Sequence, residues 1–236
     1  MPGRDHEKNR NRRSDVRRGR GLRAAGWVLA PLGVMTLTAS LVALRGYMVA
    51  DLPSSAMEPA YLPGDRIVAE RTEARDLRRG DVVLFSVPDR YRGQLVLQRV
   101  VAVGGDRVAC CEGGTLTLNG KPLGEPYVKD AAPAAGGVTF DVTVPDGRLF
   151  LLGDHRENSR DARFFLDDGH HGTVAETAVQ ARALAPPTAP LLLGAALPAG
   201  TLLALAGGGC VLAGWLLGRR RTTLARGPLL PGGTPT

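Results

Sequence analysis

The chain has 236 residues and a formal net charge of +7, from 30 Lys/Arg and 23 Asp/Glu. The excess of positive charge lies at the two ends. Residues 1–23 hold nine basic and three acidic residues, whereas residues 51–182 hold 16 basic and 20 acidic residues. A nucleic-acid-binding domain clusters its Lys/Arg on the folded part. The distribution therefore argues against nucleic acid as a partner.

Two long apolar stretches predict membrane-spanning helices at 24–45 and 190–218. Residues 24–44 carry no charge and have the length that crosses a bilayer core. Residues 183–218 are also uncharged. The alternative for the first stretch is a cleaved signal peptide, but the basic leader is long and no small-x-small cleavage site follows directly.

The charges that flank these stretches predict their orientation. Basic residues precede the first stretch, and Arg219, Arg220 and Arg221 follow the second. Basic flanks stay on the cytoplasmic side. We therefore expect a multi-pass protein of the plasma membrane with cytoplasmic tails at 1–23 and 219–236 and an extracytoplasmic domain at 46–187. The first tail, rich in Arg, Asn, Gly and Asp, is predicted to be disordered.

The domain between the two apolar stretches reads as short strands separated by turns. Runs rich in β-branched residues end at Gly-Asp, Asn-Gly or Pro-Asp-Gly, and helical periodicity is nearly absent. The predicted strands lie at 65–70, 80–87 and 94–103, an Asn-Gly hairpin signal lies within 115–123, and two more strands flank Pro-Asp-Gly within 137–154. The pattern predicts a mainly β fold, an antiparallel barrel or sandwich.

The three cysteines and four histidines predict neither a metal site nor a cofactor. No Cys-x-x-Cys or His-rich spacing is present. Cys110 and Cys111 are adjacent, and neighbouring cysteines rarely bridge each other without strain. We expect the pair to be structural filler, with a redox role as the alternative.

Four sequence blocks occur in order after the first apolar stretch. They are "PSSAMEPAYLPGDRIV" from residue 53, "RRGDVVLFSVP" from 78, "LVLQRVVAVGGDRV" from 95 and "LLGDHRENSRDAR" from 151. In this order they resemble the type I signal peptidases, the membrane-bound serine proteases that remove signal peptides, and the double anchor resembles actinobacterial members. The resemblance implies a β domain that acts at the membrane surface.

The resemblance also implies a serine nucleophile with a lysine as its base. Ser54 matches the family's first serine, which helps to bind the oxyanion, while Met57 and Pro59 match its Met and Pro. The nucleophile position is Ala56. The lysine position, directly before the arginine matched by Arg99, is Gln98. A methyl group cannot attack a carbonyl, and a glutamine amide has no nitrogen that titrates near neutral pH.

The last block is nearly complete. Ser159 matches the serine that orients the lysine in the family. The resemblance implies that the charged residues of this block hold the loop by ion pairs, so that their role is structural; these are Asp154, Arg156, Asp161 and Arg163. His155 replaces the common Asn, and Ala162 a common Ser.

Three hypotheses about function follow. The first is a signal peptidase I-like membrane protein of the export pathway that has lost peptide-bond hydrolysis and binds signal peptides or preproteins, with an active paralogous peptidase as a further partner. The second is an active peptidase with a displaced dyad of Ser54 or Ser55 and a histidine such as His155, whereas His170 and His171 are expected to be exposed loop residues. The third is a purely structural membrane-anchored β domain.

Overall fold

The computed structural model describes residues 3–73, 76–184 and 188–224. It divides into two compact units, which we call the helical unit (Met1–Leu44 with Leu191–Thr236) and the β unit (Arg45–Pro190). The last 12 positions of the predicted tail at 219–236 lie outside the described residues.

The helical unit consists of α1 (Gly3–Leu44) and α2 (Thr188–Leu224). Within them Arg20–Leu44 and Thr188–Leu216 are long and apolar enough to cross a membrane, with mean hydropathies of 1.9 and 1.8. Glycines let the two helices approach closely: a Cβ on Gly26 would lie 2.6 Å from the carbonyl oxygen of Gly207. Helix α1 begins at Gly3. Its Arg, Lys and Glu residues are good helix formers that extend the apolar helix.

The β unit contains eleven strands among the described residues, and every pairing between them is antiparallel. The strands are β1 (Tyr47–Asp51), β2 (Arg66–Arg71), β3 (Val82–Phe85), β4 (Val96–Val103), β5 (Arg107–Glu112), β6 (Thr115–Leu118), β7 (Lys121–Pro122), β8 (Phe140–Thr143), β9 (Arg148–Leu152), β10 (Val174–Ala175) and β11 (Val179–Ala183). The prediction of a mainly β, antiparallel fold with two apolar helices is confirmed.

The strands form two sheets that share a core. The larger has the order β1-β2-β11-β3-β4-β9-β10, and the smaller has the order β7-β6-β5-β8. Strand β3 is buried on both faces, because Val82 and Leu84 enter one apolar cluster and Val83 and Phe85 another. A third cluster joins the sheets, with Phe140 of β8 packed 5.1 Å from Phe150 of β9 between ring centroids.

The sulfur atoms of Cys110 and Cys111 lie beside each other in β5. The register of β5 against β6 shifts between Cys110 and Glu112. Such a bulge sets two successive residues opposite one residue of the partner strand, so that neighbouring side chains depart from strict alternation.

Asp106 connects the two sheets at the turn between β4 and β5. Its carboxylate accepts hydrogen bonds from Arg79 Nε at 2.7 Å, from Asn119 Nδ2 at 2.9 Å and from the backbone N–H of Val103 at 3.0 Å. Burial alone would raise the pKa of Asp106, but these hydrogen bonds outweigh burial and lower it below its ordinary value of 3.8. The folded state therefore favours the charged carboxylate.

We expect Asp106→Asn to reduce stability by about 1–3 kcal/mol at pH 6, because a charge-assisted hydrogen-bond set is weakened. The lowered pKa means that this stabilisation is complete above the unfolded pKa and is lost as the pH falls through the folded pKa. The difference between the two proteins should therefore shrink below about pH 4, as measured by urea unfolding in detergent. Asp51→Asn is the matched control, since its ion pair with Arg66 is exposed. An equal difference at pH 6 and pH 3 would contradict this assignment.

Candidate functional site

Three segments of the β unit meet at Gly153, the residue that follows β9. A Cβ built on Gly153 would overlap the side chain of Ser159 and lie 2.7 Å from the carbonyl oxygen of Ala56. The register of β4 against β9 pairs Arg99 with Leu152, and continued by one residue it sets Gln98 across from Gly153. Opposed residues project to the same face of a sheet. The structure thus brings Ala56, Gln98 and Ser159 to one place.

The loop between β1 and β2 presents Ala56. Ser54 Oγ accepts a hydrogen bond of 3.1 Å from the backbone N–H of Ala56, and the carbonyl oxygen of Ala56 accepts one of 3.0 Å from the backbone N–H of His155. Met57 is fully buried in the apolar cluster beside Ile67, whereas Pro59 is exposed. The loop is therefore anchored by Met57 and held at Ala56, the residue that the resemblance assigns to the nucleophile position.

Gln98 is 1% exposed and lies on the apolar face of β4 shared with Val96 and Val100. Its Nε2 donates a hydrogen bond of 3.0 Å to the carbonyl oxygen of Arg160. Burial raises the pKa of Tyr91 to about 12, so its hydroxyl stays protonated. Gln98 is thus a neutral, hydrogen-bonded group in an apolar setting.

Ser159 is 3% exposed, and among the described residues its Oγ is the buried side-chain oxygen or nitrogen that has no hydrogen-bond partner. Leaving a buried hydroxyl unpaired costs about 1–3 kcal/mol. The resemblance assigns Ser159 to the position whose serine orients the lysine in the family, and it places that lysine at Gln98. The unpaired hydroxyl therefore lies where the resemblance predicts a missing partner.

Arg99 and Asp154 form a buried, bidentate ion pair next to Gly153. Arg99 Nε donates to Asp154 Oδ1 at 2.8 Å, and the guanidinium lies 4.1 Å from the centroid of the Tyr127 ring. Burial raises the pKa of Asp154, although the nearby Arg99 lowers it in part. Burial of Arg99 would lower the pKa of its guanidinium, but the hydrogen bond to Asp154 outweighs this effect and raises it. The pair fastens the end of β9 to β4.

Two further buried ion pairs hold the segment from 154 to 163. Arg163 Nε donates to Asp161 Oδ1 at 2.8 Å, and Asp161 Oδ2 accepts the backbone N–H of Gly153 at 3.2 Å. Arg156 pairs with Glu125 and donates from Nε to the carbonyl oxygen of Gly153 at 2.9 Å. All of these side chains are at most 4% exposed except that of Arg99, at 13%. The charged residues of the last block thus act on the backbone around Gly153.

His155 reaches the loop but does not meet a serine hydroxyl. Its Nδ1 lies 3.2 Å from the carbonyl oxygen of Ser55, which fits an N–H that donates to this oxygen, and 3.8 Å from Glu58 Oε2. The hydroxyl of Ser55 instead accepts a hydrogen bond from Asn158 Nδ2. His170 and His171 are exposed in the turn before β10. The contacts of the displaced dyad are not formed between these groups.

Sequence reasoning missed a lysine near the site. Lys129 Nζ lies 2.6 Å from Glu58 Oε2, and the backbone N–H of Lys129 donates to the carbonyl oxygen of Asp154. The hydrogen bond to Glu58 raises the pKa of Lys129. A lysine serves as a base only when its pKa is lowered. Lys129 therefore connects the loop at Glu58 to the segment after β9, through its ion pair with Glu58 and its backbone hydrogen bond to Asp154.

We expect Gly153→Ala to destabilise the β unit by about 1–3 kcal/mol, because the new methyl group would overlap Ser159 and crowd Ala56. Urea unfolding of the full chain in detergent measures the change. Gly124→Ala is the matched control, since a Cβ there meets nothing within 4 Å. Equal stability of the Gly153 and Gly124 variants would show that the three segments do not converge at Gly153.

Comparisons with known proteins agree on one family. The family model described as "Signal peptidase, peptidase S26" matches residues 25–187. A probable signal peptidase I of Mycobacterium leprae is 32% identical over 190 residues, which cover 60% of this chain and 65% of that protein. Signal peptidase I of Mycobacterium tuberculosis is 31% identical over 197 residues, which cover 62% and 66%.

A solved structure of a signal peptidase I from Enterococcus faecalis is 28% identical, with a TM-score of 0.36 over 45% of this chain and 96% of that one. The matches to the two mycobacterial relatives span 65% and 66% of those relatives' lengths. The family model, in contrast, covers more than half of this chain. The chain belongs to the signal peptidase, peptidase S26, family.

Proposed function

We propose that this chain is a non-catalytic member of its family. It binds the signal peptides of secretory preproteins at the outer face of the plasma membrane and does not cleave them. One observation carries the proposal: Ala56 and Gln98, which the resemblance assigns to the nucleophile and base positions, lie close together inside a framework of paired charged residues. Cleavage needs a nucleophile and a base within hydrogen-bond reach of it. Neither a methyl group nor an amide supplies these functions.

The surroundings of the dyad positions support the loss of hydrolysis. The buried Gln98 amide satisfies the carbonyl oxygen of Arg160, whereas an unpaired ammonium at that position would have to be desolvated. The hydroxyl of Ser159 remains without a partner. A retained serine at the orienting position beside a neutral amide is the arrangement expected when the base has been replaced and the serine that orients it has not.

The sheet edge that leads into the loop supports the binding of an extended peptide. Strand β1 is at the edge of the larger sheet. At one end the carbonyl oxygen of Gly46 accepts a hydrogen bond from the backbone N–H of Arg71. At the other end the backbone N–H of Leu52 donates to the carbonyl oxygen of Asp65. In an antiparallel pair the bonded residues alternate. Residue 49 therefore directs its N–H away from β2. A free strand edge is the surface used in β-strand addition.

The proposed setting follows from the two apolar helices and the charges that flank them. Because basic flanks stay on the cytoplasmic side, the proposal has both tails in the cytoplasm and the β unit outside the plasma membrane, where it can reach an emerging preprotein. An active paralogous peptidase is the expected partner, since a chain that binds signal peptides without cleaving them would shield, present or sequester the substrates of that enzyme.

Two other functions remain as alternatives. An active peptidase with a displaced dyad would need the hydroxyl of Ser54 or Ser55 to move to His155, whose Nδ1 is at the carbonyl oxygen of Ser55. A purely structural β domain would bind no peptide. The framework around Ala56 favours binding over this third function, because the loop is held in place rather than collapsed.

We expect Val49→Pro to weaken the binding of a preprotein about tenfold, because proline removes the outward N–H of β1 without removing a bond to β2. Photocrosslinking of a preprotein to the full chain in detergent measures the binding. Val49→Thr is the matched control, since it keeps the backbone N–H and the β-branched shape. Equal crosslinking by the two variants would exclude strand addition at β1. Crosslinking of the unsubstituted chain no stronger than that of an unrelated membrane domain would exclude peptide binding altogether.

A further inference from the structure

The helical unit contains an open, almost wholly apolar cleft between α1 and α2, with a volume of about 620 Å³. Four residues of α1 and four of α2 line it, namely Gly26, Trp27, Ala30, Pro31, Gly208, Val211, Leu212 and Trp215. The cleft exists because the helices touch on one side, where a Cβ on Gly207 would overlap Ala30. At the neighbouring Gly208 the space is open, since a Cβ there would meet nothing within 4 Å.

Both tryptophans of the chain line this cleft. Trp27 is 72% exposed and Trp215 is 43% exposed. Tryptophan is enriched where the apolar core of a membrane meets the headgroups. The two tryptophans therefore mark the end of the cleft that lies at the membrane surface.

Positive charge continues from the same end of the cleft. Arg23 precedes Gly26 by three residues and Trp27 by four, and Arg20 precedes Arg23 by three. Residues three or four apart share one face of a helix. With a rise of 1.5 Å per residue, Arg23 lies about 6 Å along the axis from Trp27. Three more arginines, at 219–221, follow Trp215 in the sequence.

We propose that this cleft binds an anionic phospholipid, with an acyl chain along the apolar walls and the phosphate headgroup at Arg20 and Arg23. Apolar walls alone cannot select a ligand inside a membrane, because lipid tails are as apolar as the side chains. Charge at the headgroup level can do so, since basic pockets between membrane helices attract anionic headgroups. The apolar walls of the cleft and the arginines at the headgroup level lie at the same end of the helices. The proposed lipid site does not depend on peptide binding by the β unit.

Quenching of tryptophan fluorescence by brominated lipids tests this proposal in the full chain. The protein is placed in phosphatidylcholine vesicles that contain either acyl-brominated phosphatidylglycerol or acyl-brominated phosphatidylcholine. We expect the anionic lipid to associate about fivefold more strongly, which corresponds to about 1 kcal/mol, the contribution of one arginine near an anionic surface. The anionic-to-neutral ratio cancels any general change in the exposure of the tryptophans.

Two neighbouring glycines provide matched variants. Gly208→Leu fills the cleft, whereas Gly209→Leu adds the same side chain to an equally open position outside the lining. We expect the first variant to bring the ratio close to one and the second to leave it unchanged. Replacing Arg20 and Arg23 with Gln should also lower it.

Three results would overturn the proposal. Equal quenching by the two lipids in the unsubstituted chain would mean that only general boundary lipid is present. Quenching by neither lipid would mean that protein, such as a second copy of the chain, covers the cleft. An unchanged ratio after Gly208→Leu, or an equal loss after Gly209→Leu, would place any anionic lipid elsewhere.

Discussion

The buried ion pairs around Gly153 are the constraint on which the rest of the site depends. Arg99, Arg156 and Arg163 each have a carboxylate partner in a nearly water-free setting, and two of these arginines also bond to backbone oxygens of the same segment. Removing one partner of such a pair strands a buried charge at a cost of about 3–5 kcal/mol. The segment after β9 is therefore needed for stability whether or not any chemistry takes place.

This constraint explains how the site would keep its shape after the proposed loss of its reactive groups. Ala56 is held through its backbone, which bonds to Ser54 and His155 and needs no particular side chain. Gln98 is neutral and finds a partner in the oxygen of Arg160. The two replacements thus avoid burying an unpaired charge. Their cost falls on Ser159, whose hydroxyl is left unpaired.

Much of the fold follows from local sequence, because Gly-Asp, Asn-Gly and Pro-Asp-Gly turns separate strands that the structure contains. The place of Gln98 on the face shared with Val96 and Val100 follows from the alternation of side chains in the first half of β4. The partners supplied by the loop between β7 and β8 could not be predicted. Glu125 pairs with Arg156, which is 31 positions away in the sequence, and Lys129 pairs with Glu58, which is 71 positions away. That loop has no periodic pattern, so only the folded chain shows where its side chains point.

The most direct test of the account compares the cleavage of a preprotein by the unmodified chain, by Ala56→Ser, by Gln98→Lys and by the double variant, all in detergent. Lysine is unbranched like glutamine and one bond longer, and Ser159 is available to it. The account predicts cleavage by the double variant alone, because the framework persists around an emptied dyad. Cleavage by the unmodified chain would contradict the account and favour a displaced dyad that uses Ser54 or Ser55. A folded but inactive double variant would show that the framework no longer supports the chemistry.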